Sequence, residues 1–527
     1  MWPQVLLAAL PLLAIVALML GLRWPAALAG AVGLAITLAV AWFAFGYGTR
    51  ELPELGVAGA TGGAFAEALF VAATILWIIF PALCIHELQL RTGAIDVLRL
   101  AMGRLSNDPR IVALLVAWFF VLFVEGAAGF GTSVALAAPF LVSAGFRRVE
   151  AVTIALVGHT VGVSFGAVGT PILAQATLSP FSGLELSAAT GIYHGLAGWL
   201  MPLVAMLLVT RSLPRERRAG TNVWGWTLLA AALFLVPHTL IATFLGPELP
   251  TLAGALFGGL AFVSALLLVR RRSGGTRADH EAQPRDAGAV RSPRRPDRRP
   301  RDLLRAAAPY LVLVTLVLTT RLVPAIREAL SGVEVTWSAG VFGGSFEPLY
   351  HPGTMLLLGF VAGAAWQGAA SRDVRTAMRL AAAKLAPVTL ALVAMLALSR
   401  VMVYAGMVDT LAQAAASTAG AMWPLFSPMV GLLGTFVTGS ATASNILFTD
   451  FQLATAERLQ LPVLALLGAQ GFGAAAGNII CPHNIIAAGA TVNLTGKEGE
   501  VLRRTLGVAL VYALLGGLLA LVWFARA

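Results

Sequence analysis

Phe123-Val-Glu-Gly-Ala-Ala-Gly-Phe-Gly-Thr-Ser133 and Phe436-Val-Thr-Gly-Ser-Ala-Thr-Ala-Ser-Asn445 decide how this chain is read. Each is a glycine- and hydroxyl-rich stretch sunk in a strongly apolar region. A lipid-facing helix gains nothing from such a stretch, because unpaired backbone groups in hydrocarbon cost several kcal/mol each. Broken backbone at membrane depth survives where it lines a cavity. Two related breaks in two halves of a chain therefore point to a transporter's binding site.

The surroundings of the two stretches fix the class. The chain is 58% hydrophobic and 12% charged, about half the charged fraction of a soluble protein, and its mean hydropathy is +0.84. Apolar runs at 4–22, 24–46, 190–210, 250–269 and 505–524 are each long enough to cross a bilayer. The expectation is an all-α polytopic membrane protein. The first run has no basic segment before it and no cleavage site followed by a soluble domain, so it reads as a retained span. Cys84 and Cys481 are too few for a disulfide framework or a cysteine metal site, and nothing in the sequence calls for a metal or other cofactor.

The net charge of +11 is concentrated, since residues 270–305 hold twelve Arg against five acids. This Pro-, Gly- and Arg-rich segment is expected to be a disordered cytoplasmic linker over 270–302. It obeys the positive-inside rule and is suited to contact with anionic headgroups of the lipid bilayer. No aromatic interleaving or folded reader accompanies it, which excludes nucleic-acid recognition. The linker divides a first transmembrane half, 1–269, from a second, 303–527.

Charge placement also sets topology. Arg-rich connections at 91–110 and 147–148 belong on the same, cytoplasmic side, yet the apolar stretch 111–146 separates them. A helical hairpin over 111–146, turning near Gly126–Thr132, satisfies both. A second hairpin over 421–450, entered from the opposite face, brings Lys497–Arg504 to the cytoplasm. The expected fold has about twelve transmembrane helices plus two re-entrant helical hairpins in an inverted repeat, with both termini outside. The order of motifs repeats as well: Gly158…Gly169-Thr-Pro171 follows the first hairpin and Gly468…Ile480-Cys-Pro482 the second.

Several residues stand out chemically. Glu125 ends a long apolar helix at membrane depth, where an ionisable group marks a substrate or proton pathway; the alternative is a helix-capping carboxylate. His159 lies inside the next span and suits proton exchange, or simple packing. Thr160, Ser164 and Thr170 share its broken helix. Arg400 is the one Arg well inside an apolar span, and its guanidinium matches a carboxylate in bidentate geometry, unless it snorkels to the interface. Gly129, Gly131 and Thr132 at the first tip, with Ser440, Thr442, Ser444 and Asn445 at the second, offer backbone amides and hydroxyls to an anion. The same oxygens are able to hold Na⁺, and helix packing by small residues is the bland alternative. Asn478 and Cys481-Pro-His483-Asn484 extend that surface. His86, His194, His238 and His351 fall near expected span ends and carry no expected role, and Glu67 reads as interfacial.

Glu125-Gly-Ala-Ala-Gly-Phe-Gly-Thr132, His159-Thr-Val-Gly-Val-Ser-Phe-Gly-Ala-Val-Gly-Thr-Pro171, Gly434-Thr-Phe-Val-Thr-Gly-Ser440, Ser444-Asn445 and Gly496-Lys-Glu498 resemble motifs of the lactate permease family. The resemblance covers most of the chain outside the linker. It implies uptake of L-lactate, and often D-lactate or glycolate, by proton symport across the bacterial inner membrane. Two positions depart from the family pattern: Ala441 stands where an acid commonly follows Thr-Gly-Ser, and Asn478 where a lysine is common. The expected partners are protons and a short organic anion, met by Arg400 and the hairpin amides, with Glu125 and His159 carrying the proton. The rival readings are a Na⁺-coupled carboxylate symporter and a passive anion channel. An enzyme is not expected, because no paired acidic motif, His cluster or metal-ligand spacing is present. Oligomeric state is not legible.

Overall fold

A computed structural model describes residues 2–22, 24–97, 106, 108–129, 131–214, 222–272, 300–494 and 497–524. Residues 273–299 of the expected linker lie outside the described residues, and so does Gly496. The linker's two ends are helical, as the last turn of Pro250–Arg272 and the first of Pro300–Leu322.

Helices α1 (Trp2–Leu20), α2 (Ala26–Val40) and α3 (Gly56–Arg91) precede α4 (Pro109–Ala128) and α5 (Thr132–Ser143). Next, α6 (Arg148–His159) passes through a 3-10 turn, Thr160–Phe165, into α7 (Gly166–Ala176). Then come α8 (Gly183–Ala197), α9 (Leu200–Ser212), α10 (Val223–Phe244) and α11 (Pro250–Arg272). Beyond the linker lie α12 (Pro300–Leu322), α13 (Pro324–Ser331), strands β1 (Val335–Ala339) and β2 (Phe342–Phe346), and α14 (Pro352–Gln367). The chain continues with α15 (Ser371–Tyr404), α16 (Met407–Ala419), α17 (Trp423–Thr438) and α18 (Ala441–Arg458). It closes with α19 (Val463–Asn478), α20 (Pro482–Thr491) and α21 (Glu498–Phe524). Among the described residues, twelve helices are long and apolar enough to cross a membrane.

Both glycine-rich stretches are sharp reversals. Along α17 and α18, Ser444 Oγ donates to Gly431 O (2.9 Å), Gln452 Nε2 donates to Ser427 O (3.2 Å) and Trp423 Nε1 donates to Gln452 Oε1 (3.0 Å). These partners move apart on both sides of the Gly439–Ser440 turn, so the arms lie antiparallel, and the returning arm runs on past residue 450 to Arg458. Likewise α5 folds back on α4. Gly129 (φ 57°) and Gly131 (φ 73°) make that turn in left-handed conformations that favour glycine. Asp108 starts α4 by accepting from the Arg110 amide at 2.9 Å, a side-chain cap for an otherwise orphaned donor.

Burial separates centre from rim. The apolar stretches of Pro109–Ala128 and Arg148–Ala176 are buried throughout, and that of Val463–Thr491 is 89% buried, against 17% for Trp2–Met19. The interrupted helices are thus enclosed by other helices, the one setting in which freed backbone groups at membrane depth find partners. The run 190–210, expected as one span, is divided by a 42° bend between α8 and α9.

The long helices α3 and α15 pack side by side. Ion pairs Arg400–Glu67 (3.3 Å), Lys384–Glu87 and Arg91–Asp373 (2.8 Å) follow one another along them, which makes the two antiparallel. The strands β1 and β2 form an antiparallel hairpin, Val335 opposite Phe346 and Ala339 opposite Phe342. Gly340 turns it with φ 62°. Phe342 is buried and stacks edge-on against Tyr404, the centroids 4.9 Å apart. The hairpin therefore caps the Arg400 end of the α3–α15 pair.

Candidate functional site

The breaks in the two buried helices meet. His159 is the last residue of α6 and Asn478 the last of α19, and their side chains lie 2.8 Å apart, Nε2 to Oδ1. The other ring nitrogen, Nδ1, lies 2.6 Å from Leu156 O. A backbone carbonyl only accepts, so Nδ1 carries a proton. Asn484 Nδ2 contacts both Asn478 O (3.2 Å) and Asn478 Oδ1 (2.7 Å). The fixed carbonyl orients the Asn484 amide, and that amide in turn presents the Asn478 oxygen to His159. Both ring nitrogens thus face acceptors.

Glu125 stands within electrostatic reach of His159. It is buried at the end of α4 and accepts from Ser133 Oγ at 2.6 Å. The backbone of Gly166 leaves it room, for a methyl group there would lie 2.6 Å from Glu125 Oε1. Immediately beyond, Ala167 (φ 44°) and Val168 (φ 55°) hold left-handed conformations that cost a β-branched residue dearly and gather at functional sites.

Both tips touch both breaks. At the first tip, methyl groups at Gly129 and Gly131 would lie 3.0 Å from Ala167 Cβ and 2.6 Å from Asn484 Oδ1, and Thr132 Oγ1 donates back to Gly129 O (2.7 Å). At the second tip, a methyl group at Gly439 would lie 3.5 Å from Cys481 Sγ and from exposed His483. Ser440 caps α18 through its side chain, and Asn445 Nδ2 donates to Pro171 O (3.0 Å). Thr442, Ser444 and Asn445 are buried. The Oδ1 atoms of Asn445 and Asn484 are buried without a hydrogen-bond partner.

The structure sets Arg400 apart from the tips. Its Nη2 lies 2.5 Å from Asp450 Oδ2 and its Nη1 3.3 Å from Glu67 Oε1. Asp450 is about 15 Å along α18 from the turn, at 1.5 Å per residue. Glu67 is buried and accepts from Tyr404 Oη at 2.6 Å, so it is a member of a charge cluster. His86, His194 and His238 are buried too. His194 joins two parts of the chain: Ser164 Oγ donates to Gly471 O (2.9 Å) and so accepts from His194 Nε2 (2.9 Å), while Nδ1 pairs with Tyr512 Oη (2.9 Å). Both ring nitrogens of His194 are therefore hydrogen-bonded.

Enclosed broken helices, with two hairpin tips and a buried carboxyl and imidazole where they converge, define a multi-pass membrane transport protein. The chain belongs to the L-lactate permease family, whose sequence profile matches residues 4–525. It is 31% identical to an L-lactate permease of Streptococcus iniae, over 87% of this chain and 92% of that protein. It is 28% identical to the glycolate permease of Escherichia coli, over 98% and 95%. A solved structure, the Alcanivorax borkumensis YdaH transporter, aligns with a TM-score of 0.48 and 17% identity over 88% of this chain and 87% of that one. The protein is a multi-pass protein of the bacterial inner membrane.

Proposed function

We propose that the chain is a proton-coupled symporter of lactate or a similar short 2-hydroxy monocarboxylate. The observation that carries the coupling is the His159 ring, with an acceptor on each nitrogen and Glu125 nearby. One proton shared between these two groups gives the site a neutral loaded form and an anionic empty one. The names of the L-lactate and glycolate permease relatives support the substrate class.

The substrate lies between the tips. Backbone amides at the starts of α5 and α18 receive its carboxylate, since helix N-termini favour anions. The orphaned amide oxygens of Asn445 and Asn484 receive its hydroxyl, and a buried acceptor left unpaired costs about 1–3 kcal/mol. An inverted repeat is supported by reciprocal packing: the returning arm α5 lies on α20, and the returning arm α18 on α7. Rocking of these elements alternates access, with the Arg-rich connections cytoplasmic and both termini outside.

Uptake of labelled lactate into proteoliposomes under an imposed pH gradient tests the reading. Accumulation is expected with an inside-alkaline gradient, to continue when choline replaces Na⁺, and to show saturation and counterflow. Loss of activity in choline would make Na⁺ the coupling ion, and absence of counterflow would make the protein a pore.

A further inference from the structure

The cluster beneath the β1–β2 hairpin is built as a site. Arg400 is buried, contributed by α15; Glu67 comes from α3 and Asp450 from α18. Ser399 Oγ donates to Asp450 Oδ2 (2.9 Å), Tyr404 Oη donates to Glu67 Oε2 (2.6 Å), and Tyr47 lies within electrostatic reach of Glu67. One cation faces two carboxyl groups, so the cluster carries a net charge of −1 with both ionised. Further along α18, Arg458 pairs with Asp409 of α16 at 3.1 Å.

The guanidinium is left half used. A carboxylate bonds an arginine best with two oxygens along one edge. On the Nε–Nη2 edge, Asp450 reaches Nη2 with Oδ2 alone, and Nε is buried with no partner. The orphaned donor carries the desolvation cost of a buried polar group. A carboxylate free of a backbone tether is able to span both nitrogens. Roughly a tenth of each side chain in the trio is exposed while Nε itself is buried, so the edge opens to a ligand only as Asp450 leaves it.

We propose that the Nε–Nη2 edge of Arg400 is an exchange site for a short carboxylate, held by Asp450 until an incoming carboxylate takes its place. The entering ligand brings one negative charge, and Asp450 takes up one proton as it leaves, so the cluster stays at −1. Because Asp450 rides on the returning arm of the second hairpin, ligand arrival unfastens that arm from α3 and α15. The site is separate from the tip site and rests on the proposed carboxylate transport only for the identity of its ligand.

The test is ligand-induced thermal stabilisation of purified full-length protein, titrated with lactate and with acetate at pH 7.5 and pH 5. Removing the competing carboxylate in D450N is expected to tighten binding at pH 7.5 by about tenfold, the equivalent of one charge-assisted hydrogen bond. At pH 5 the variant and the wild type converge, D450E behaves as wild type, and R400K loses the pH-dependent component. If the asparagine protein does not fold, D450S carries the same expectation. Binding by these variants no tighter than wild type at pH 7.5 overturns the exchange site. Uptake is read separately: a wild type that accumulates lactate while D450N binds no tighter keeps the transport reading and loses this one. A wild type that accumulates no carboxylate, with D450N binding tighter, does the reverse.

Discussion

His159 Nε2 and Asn478 Oδ1, 2.8 Å apart, join the end of α6 to the end of α19 and so tie together the two interrupted helices. Asn478→Leu removes the side-chain acceptor that His159 and Asn484 share. Two buried donors then lose a partner, at about 1–3 kcal/mol each. The variant is expected to melt earlier than wild type and to lose gradient-driven accumulation. Asn484→Leu, which leaves the His159 contact in place, should lower the melting temperature less. Equal melting temperatures for Asn478→Leu and wild type would show that the bridge carries no load.

Glu125→Gln separates proton carriage from architecture. The glutamine oxygen still accepts from Ser133 Oγ, as Glu125 Oε2 does at 2.6 Å, so the first tip keeps its shape. Counterflow of labelled lactate is expected to persist within a few-fold, while accumulation against a gradient disappears. Wild-type accumulation in this variant would remove Glu125 from the coupling step.

Gly131→Ala probes the tip itself. The residue has φ 73°, and an added methyl group would sit 2.6 Å from Asn484 Oδ1. Left-handed alanine costs about 1–2 kcal/mol before any clash. The expected outcome is a folded protein with sharply reduced uptake and counterflow, because the turn must withdraw from α20. Gly368→Ala is the control: that residue also has a positive φ, 67°, but nothing lies within 4 Å of its added methyl. It should cost stability alone. Equal transport by the two variants would show that contact between tip and break is dispensable.

Much of this was legible in the chain because broken helices need glycine and hydroxyls, and those stand out against leucine and alanine. Both reversals fall where Gly129–Gly131 and Gly439–Ser440 announce them. The charge cluster was not legible. Glu67, Arg400 and Asp450 are each a lone ionisable residue in sequence, and only the side-by-side packing of α3, α15 and α18 makes them one unit. His194 was hidden for a related reason: its partners, Ser164 and Tyr512, come from distant helices. The β-hairpin at 335–346 escaped an all-helical reading because it is short and its strands carry two adjacent glycines, Gly343 and Gly344.

His351 gives a pH test outside the spans. It caps α14 by accepting from the Gly353 amide (3.3 Å). Burial, reinforced by the charge of Arg321, lowers its pKa from 6.5 to about 4. The folded protein therefore takes up this proton less readily than the unfolded chain. Its contribution is present above pH 6.5 and is lost as pH falls towards 4, on the order of 3 kcal/mol over the whole interval at 1.36 kcal/mol per unit. Asparagine also caps a helix start but does not titrate in this range. Thermal unfolding of detergent-solubilised protein from pH 7 to pH 4.5 should show a smaller fall for His351→Asn than for wild type. Parallel curves for the two proteins would mean that the imidazole protonates without strain on the α14 cap.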